Sequence, residues 1–148
     1  MSKVIQTILS GMFFTFFCDF FLFLGIKENY IDAHNIQIYY NILFIDHQSF
    51  TIYLFFTLIT GYTVMYHSNK LAVIVIGTLF LLCVSTLIPP VGATVGELLL
   101  MQKGSVLQTD KFSYRGDILY NGRKKITFYD YKLKKVIILP KNKLQGGY

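Results

Sequence analysis

The sequence predicts an α-helical membrane fold of about three transmembrane helices followed by a small C-terminal antiparallel β module. Three observations predict it. Apolar runs of bilayer-spanning length fill most of the first 90 residues, a proline pair closes the last run, and nearly all the positive charge lies beyond it among β-forming residues. The 148 residues are 53% apolar and 17% aromatic, with a positive mean hydropathy. That is too apolar for an ordinary soluble domain of this length.

The first expected span covers residues 4–26, whose ~23 residues at ~1.5 Å rise reach the hydrocarbon thickness of a bilayer. Lys3 precedes it, but the run ends Leu22-Phe23-Leu24-Gly25-Ile26-Lys27 without a small-x-small cleavage site, so it reads as a retained anchor. The second span, 50–66, is short but framed by Tyr53, Tyr62 and Tyr66, which suit interfacial depths. The third, 71–88, stops at Pro89-Pro90. Only His67-Ser68-Asn69-Lys70 separates the two, so they form an antiparallel helical hairpin.

Between the first two spans, the segment 31–46 is too short to cross a bilayer. Asp32 is placed to cap an interfacial helix with His34, Gln37 and Asn41 on its polar side and Ile31, Ile38, Ile42 and Ile45 on another. An extended loop is the rival reading. Residues 89–102 form a connector, with Pro90 suited to a first helical turn. Gly92 and Gly96 have the spacing of close helix contact, though a loop or connecting element is the preferred reading there. The chain thus divides into a membrane unit, 1–102, and a basic β tail, 103–148.

In that tail, Asn121-Gly122 between Asp117–Tyr120 and Arg123–Tyr129 has the signature of a β-hairpin. A three-residue loop pairs Ile118 with Ile126 and sets Tyr120 and Phe128 on one face, the favoured register. Residues 133–139 supply a further strand ended by Pro140. So small a module needs support from the helices or from a partner.

Residues 103–148 hold eleven Lys/Arg against three Asp, whereas residues 1–102 hold three Lys against five acids. The excess places the tail on the cytoplasmic side. Composition rich in Ile, Lys, Asn, Phe and Tyr fits an AT-rich bacterial genome, hence an inner-membrane location.

Asp19 is the one charge inside the first span, and an ionisable group near mid-bilayer needs a partner or water. Thr7, Gly11, Thr15, Cys18, Asp19 and Leu22 share a helical stripe, while Phe13, Phe16, Phe17, Phe20 and Phe23 cover the rest and face lipid. Thr57, Thr60, Gly61 and Val64 make a matching stripe on the second span, able to receive Asp19. Asp19 is read first as a helix-packing carboxyl and second as a titrating relay group. Cys18 and Cys83 read as small apolar side chains. His34, His47 and His67 lack metal-ligand spacing, no nucleophile motif or phosphate loop occurs, and no metal or cofactor is expected.

Arg123, Lys124, Lys125, Lys132, Lys134 and Lys135 form the candidate lipid- or partner-binding set, either as a solvated face or drawn to anionic headgroups. Tyr114, Tyr120, Phe128, Tyr129 and Tyr131 interleave with them, but no nucleic-acid recognition motif accompanies them. The leading expectation is a non-enzymatic membrane subunit, accessory or scaffold of a larger assembly. It would dock through the polar helix face and the basic tail, with membrane lipids and other membrane subunits or its own copies as partners. An oligomeric proton or ion pathway through Asp19 and a membrane-tethered lipid- or ligand-sensing module are the alternatives.

Overall fold

The computed structural model describes residues 2–109 and 112–145. Residues 1, 110, 111 and 146–148 of the two expected units lie outside the described residues. Among the described residues, five α-helices lead into five strands. They are α1 (Lys3–Ile26), α2 (Tyr40–His47), α3 (Phe50–Tyr66), α4 (Asn69–Val84) and α5 (Pro89–Leu100), then β1 (Gln102–Thr109), β2 (Ser113–Asn121), β3 (Lys125–Asp130), β4 (Lys135–Pro140) and β5 (Leu144–Gln145).

Two helical stretches, Lys3–Ile31 and Asn69–Leu87, are long and apolar enough to cross a membrane. The pair α2 and α3, bent by 85° at Gln48-Ser49, makes a third if taken as one span. α1 runs on through a π-helical turn, Lys27–Ile31, and α4 through a 3-10 turn, Ser85–Leu87.

The helix expected from Asp32 does not form. Asn35 adopts a left-handed conformation at φ 55°, a backbone state that asparagine tolerates and that ends helices. The chain reverses there, with Ile36 N–H donating to the Ile31 carbonyl at 3.0 Å, and runs without regular structure to Tyr40, Ile38 N–H donating to the Ile36 carbonyl at 3.0 Å on the way. Asp32 pairs with Lys27 instead of capping.

Beyond α4, residues 89–100 are helical rather than a loop. Pro89 and Pro90 occupy the first turn, where a missing N–H is harmless, and Ile88 before them is extended. The glycine spacing there serves close approach after all. A Cβ on Gly96 would overlap the Tyr30 side chain, and one on Gly92 the Thr86 carbonyl.

The sheet is antiparallel in the order β4-β3-β2-β1-β5. β4 and β5 lie at opposite edges but are joined only by the 3-10 turn Lys141–Lys143. Such a link spans at most ~15 Å, whereas four strand spacings in a flat sheet need ~19 Å. The sheet therefore curls into a small open barrel around Leu107, Ile118, Ile126 and Phe128.

The hairpin register differs from expectation. Ile118 pairs with Phe128, and Asn121 with Ile126. Gly122 N–H donates to the Lys125 carbonyl at 3.0 Å, so the tip is Arg123-Lys124, two residues beyond Asn121-Gly122. The register shifts between Ile118 and Tyr120, an irregularity that turns both Leu119 and Tyr120 outward from the barrel. Tyr120 and Phe128 consequently belong to different clusters rather than to one face.

Leu119 and Tyr120 enter the larger core, with Phe23, Ile26, Tyr30, Ile31, Ile36, Leu43 and Leu100. This core welds the barrel to the helices. Phe13, Phe16 and Phe17 are exposed as expected, but Phe23 is buried and Phe20 half-buried. The cause is α2, which folds back over that stretch of α1, setting Phe44 on Phe23 at 5.4 Å and Tyr40 on Phe20 at 5.4 Å between ring centroids.

Candidate functional site

Three features make up the candidate site: a polar seam running along α1 and α3, the acid Asp19 beyond one end of it, and a basic hairpin tip held to α2. The seam comes first. Thr7, Gly11, Thr15 and Cys18 of α1 are buried, as are Thr57, Thr60 and Gly61 of α3. The two helices run antiparallel with glycines offset. Gly11 lies against the Thr57 carbonyl and Gly61 against the Thr7 carbonyl, each so close that a Cβ would overlap the oxygen.

Few hydroxyls bridge the seam. Thr7, Thr60 and Thr63 donate to carbonyls four residues back on their own helices, at 2.7–2.8 Å. Thr15 and Thr60 approach across the seam at 3.3 Å between hydroxyl oxygens. Small size, more than hydrogen bonding, holds α1 to α3.

Continued two turns past Gly11, this register reaches the start of α3. Asp19 therefore meets the α2–α3 elbow rather than the threonine stripe, and Gln48 Nε2 donates to its Oδ2 at 2.8 Å. The acid is level with the point where α3 begins and where α4 ends, since Cys83 near the end of α4 faces Cys18. It sits at the end of the bundle, not near its middle. Tyr40 and Tyr53 hydroxyls lie around it, donating to the Phe20 and Met12 carbonyls at 3.0 and 3.1 Å.

Cys18 and Cys83 are free thiols. Phe21 of α1 also meets Phe80 of α4, at 5.2 Å between ring centroids. Treating the intact protein with diamide, which takes two electrons and two protons from a dithiol, should give an intramolecular disulfide lost in Cys18→Ser. Intermolecular dimers instead would contradict the packing of α1 on α4.

The six basic residues fall into two groups. Arg123, Lys124 and Lys125 occupy the β2–β3 tip, while Lys132, Lys134 and Lys135 lie at the β3–β4 turn, at the opposite end of β3. Asp130 shapes the second turn by accepting from the Lys132 and Leu133 N–H groups at 2.7 and 2.8 Å. Arg123 is committed to Asp46 of α2, its Nε donating to the two carboxylate oxygens at 2.9 and 3.0 Å. Tyr30, buried in the core, donates its hydroxyl to the Leu119 carbonyl at 2.9 Å.

The Arg123 hydrogen bond holds the Asp46 carboxyl below the usual carboxylate range. A group whose folded pKa is depressed adds stability above its unfolded value and loses it as pH falls through the folded one. The clamp should therefore be intact at neutral pH and open only below the ordinary carboxylate range. Limited proteolysis of the hairpin across pH should show that acid step in the wild type and not in Asp46→Asn.

Several contributors were not singled out from sequence: Tyr30, Asp46, Gln48 and Thr86. Thr86 donates to Cys83 O at 2.7 Å, and Gly25 of α1 lies against it. Asn29 Nδ2 donates to its carbonyl at 2.9 Å. None has a sequence signal of its own, because each acts through partners 57 or more residues away or, for Gln48, across a bend. His34 and His47 rest on carbonyls of their own turns, Tyr30 O at 2.7 Å and Leu43 O at 3.3 Å. Among the described residues no group of three or more His, Cys, Asp or Glu could hold a metal ion.

No protein-family model matches the chain, and no curated protein or solved structure shows a significant likeness to it.

Proposed function

We propose that the chain is a small non-enzymatic integral membrane accessory protein. Its helices anchor a basic barrel at the cytoplasmic face of a bacterial inner membrane, where the barrel meets a partner of a larger assembly. One observation carries this reading: the barrel is fixed to the helices by a shared core, with the Tyr30–Leu119 hydrogen bond within it and the Arg123–Asp46 pair beside it. A module so fixed presents its surface in one orientation to whatever lies at the membrane, as a docking platform requires. Extraction in mild detergent should recover the chain within a larger particle. A lone monomer under the gentlest extraction, with no partner captured by cross-linking in intact membranes, would overturn the proposal.

The place of Asp19 supports a packing role over an ion pathway. Asparagine retains a carbonyl acceptor for Gln48, so Asp19→Asn should preserve assembly and leave reconstituted vesicles as proton-tight as the wild type. A wild-type proton leak abolished by that substitution would support the pathway reading instead.

A further inference from the structure

We propose that the groove between the 36–42 segment and the β2–β3 hairpin binds one anionic phospholipid, its headgroup between the Tyr120 hydroxyl and the Lys124 and Lys125 ammonium groups. The groove holds about 420 Å³, and Ile36, Ile38, Ile42 and Ile138 line it together with Gln37 and Thr127. The four isoleucines offer apolar surface for an acyl chain.

Tyr120 lines the same groove. It is only 4% exposed, yet its buried hydroxyl has no hydrogen-bond partner among the described residues. Buried polar groups are nearly always satisfied, and an exception calls for an explanation such as a ligand. The hydroxyl is closed to solvent in this structure, so a headgroup oxygen accepts from it by parting the side chains that cover it.

Charge points the same way. Lys124 and Lys125 stand exposed at the rim, and neither is ion-paired among the described residues, whereas Arg123 is held by Asp46. Two uncommitted cations beside a hydroxyl donor complement a phosphodiester. The groove also lies where lipid would be met. α2 bends 85° from α3, so with α3 across the bilayer α2 runs along its surface, with Ile45 and nearby Phe50 exposed. The inference rests on the membrane reading above.

The test uses the full chain. Fractionation first establishes that it resides in membranes, and its absence there would remove the membrane reading itself. Protein extracted in mild detergent is then mixed with phosphatidylglycerol or phosphatidylcholine and examined by native mass spectrometry. The wild type should retain one phosphatidylglycerol in preference to phosphatidylcholine. Tyr120→Phe should lower that retention about tenfold, the scale of one hydrogen bond to a charged group, while leaving the thermal midpoint unchanged or raised, because an orphan hydroxyl is removed. Lys124→Gln with Lys125→Gln should abolish the preference, and the distal Lys132→Gln, Lys134→Gln, Lys135→Gln variant should keep it. Equal losses in the two lysine variants, equal retention of both lipids, or no retention by a membrane-resident chain would overturn the proposal. Displacement of the lipid by millimolar inorganic phosphate would also overturn it, by assigning the site to a free anion.

Discussion

Replacing Gly11 with leucine is expected to part α1 from α3 and to leave little folded protein in the membrane. Even one added carbon overlaps the Thr57 carbonyl, and a backbone oxygen in a helix cannot swing aside as a flexible side chain can. Overpacking costs about 1–3 kcal/mol, and more where the neighbour cannot give, a large share of the ~5–15 kcal/mol that holds a typical domain together. Gly61→Leu should do the same from the other side, because Gly61 meets the Thr7 carbonyl in the reciprocal contact. The two sites share one crossing, so the double variant should lose much less than the sum of the singles. Cys18–Cys83 cross-linking serves as control, since it reports on α4 rather than α3. Gly77 of α4 has open space where a Cβ would go, and Gly77→Ala should be tolerated. A Gly11→Leu protein with wild-type thermal resistance would show that the seam is not tight.

Tyr30→Ala should have the second largest effect, on the link between barrel and helices. Tyr30 is fully buried, stacks under Gly96 of α5 and donates to the Leu119 carbonyl of β2. Truncating a buried aromatic costs about 3–5 kcal/mol, and here the cavity opens at the weld itself. Tyr30→Phe, which keeps the ring and leaves the Leu119 carbonyl without its donor, should cost about 1–3 kcal/mol. The barrel's own core of four buried side chains is small for independent stability. Protease should therefore cut within β1 to β4 far faster in Tyr30→Ala than in the wild type, while the helices stay protected. Equal rates would mean that the barrel stands alone.

What was legible in the sequence divides along physical lines. Segment length and composition depend on neighbours in the chain, so the apolar helices, the α3–α4 hairpin and the small residues Gly11, Thr15, Thr57, Thr60 and Gly61 of the seam could be read directly. Asp19 was legible as an anomaly but not by its partner. The span from Phe50 to Tyr66 could be read with both ends in place, but the register of α1 on α3, set where Gly11 meets the Thr57 carbonyl and Gly61 the Thr7 carbonyl, is announced by neither segment's hydrophobic pattern. The interfacial helix was misplaced for a similar reason. His34, Gln37 and Asn41 share one helical stripe after Asp32, but a single left-handed residue, Asn35, breaks the helix that would display them.

The β tail shows the limit for registers. Asn121-Gly122 marked a hairpin correctly, yet the tip lies at Arg123-Lys124. The irregularity at Leu119 shifts the pairing and with it which residues face the barrel. The six cations looked like one patch because they are close in sequence, but β3 separates them into two ends. That separation makes the groove proposal specific, since only the Arg123-Lys124-Lys125 end lies against α2.

The central claim is a three-crossing anchor with the barrel and the 27–49 segment together on one face. The most direct measurement is labelling of single cysteines, in a Cys18→Ser, Cys83→Ser background, by a membrane-impermeant maleimide in inverted and right-side-out vesicles. Asp32→Cys and Asn142→Cys should label together in inverted vesicles, and Ser68→Cys only in right-side-out ones. Labelling of Ser68→Cys and Asn142→Cys from the same face would contradict the account, because it would leave α4 uncrossed and the barrel away from the loop it is packed against.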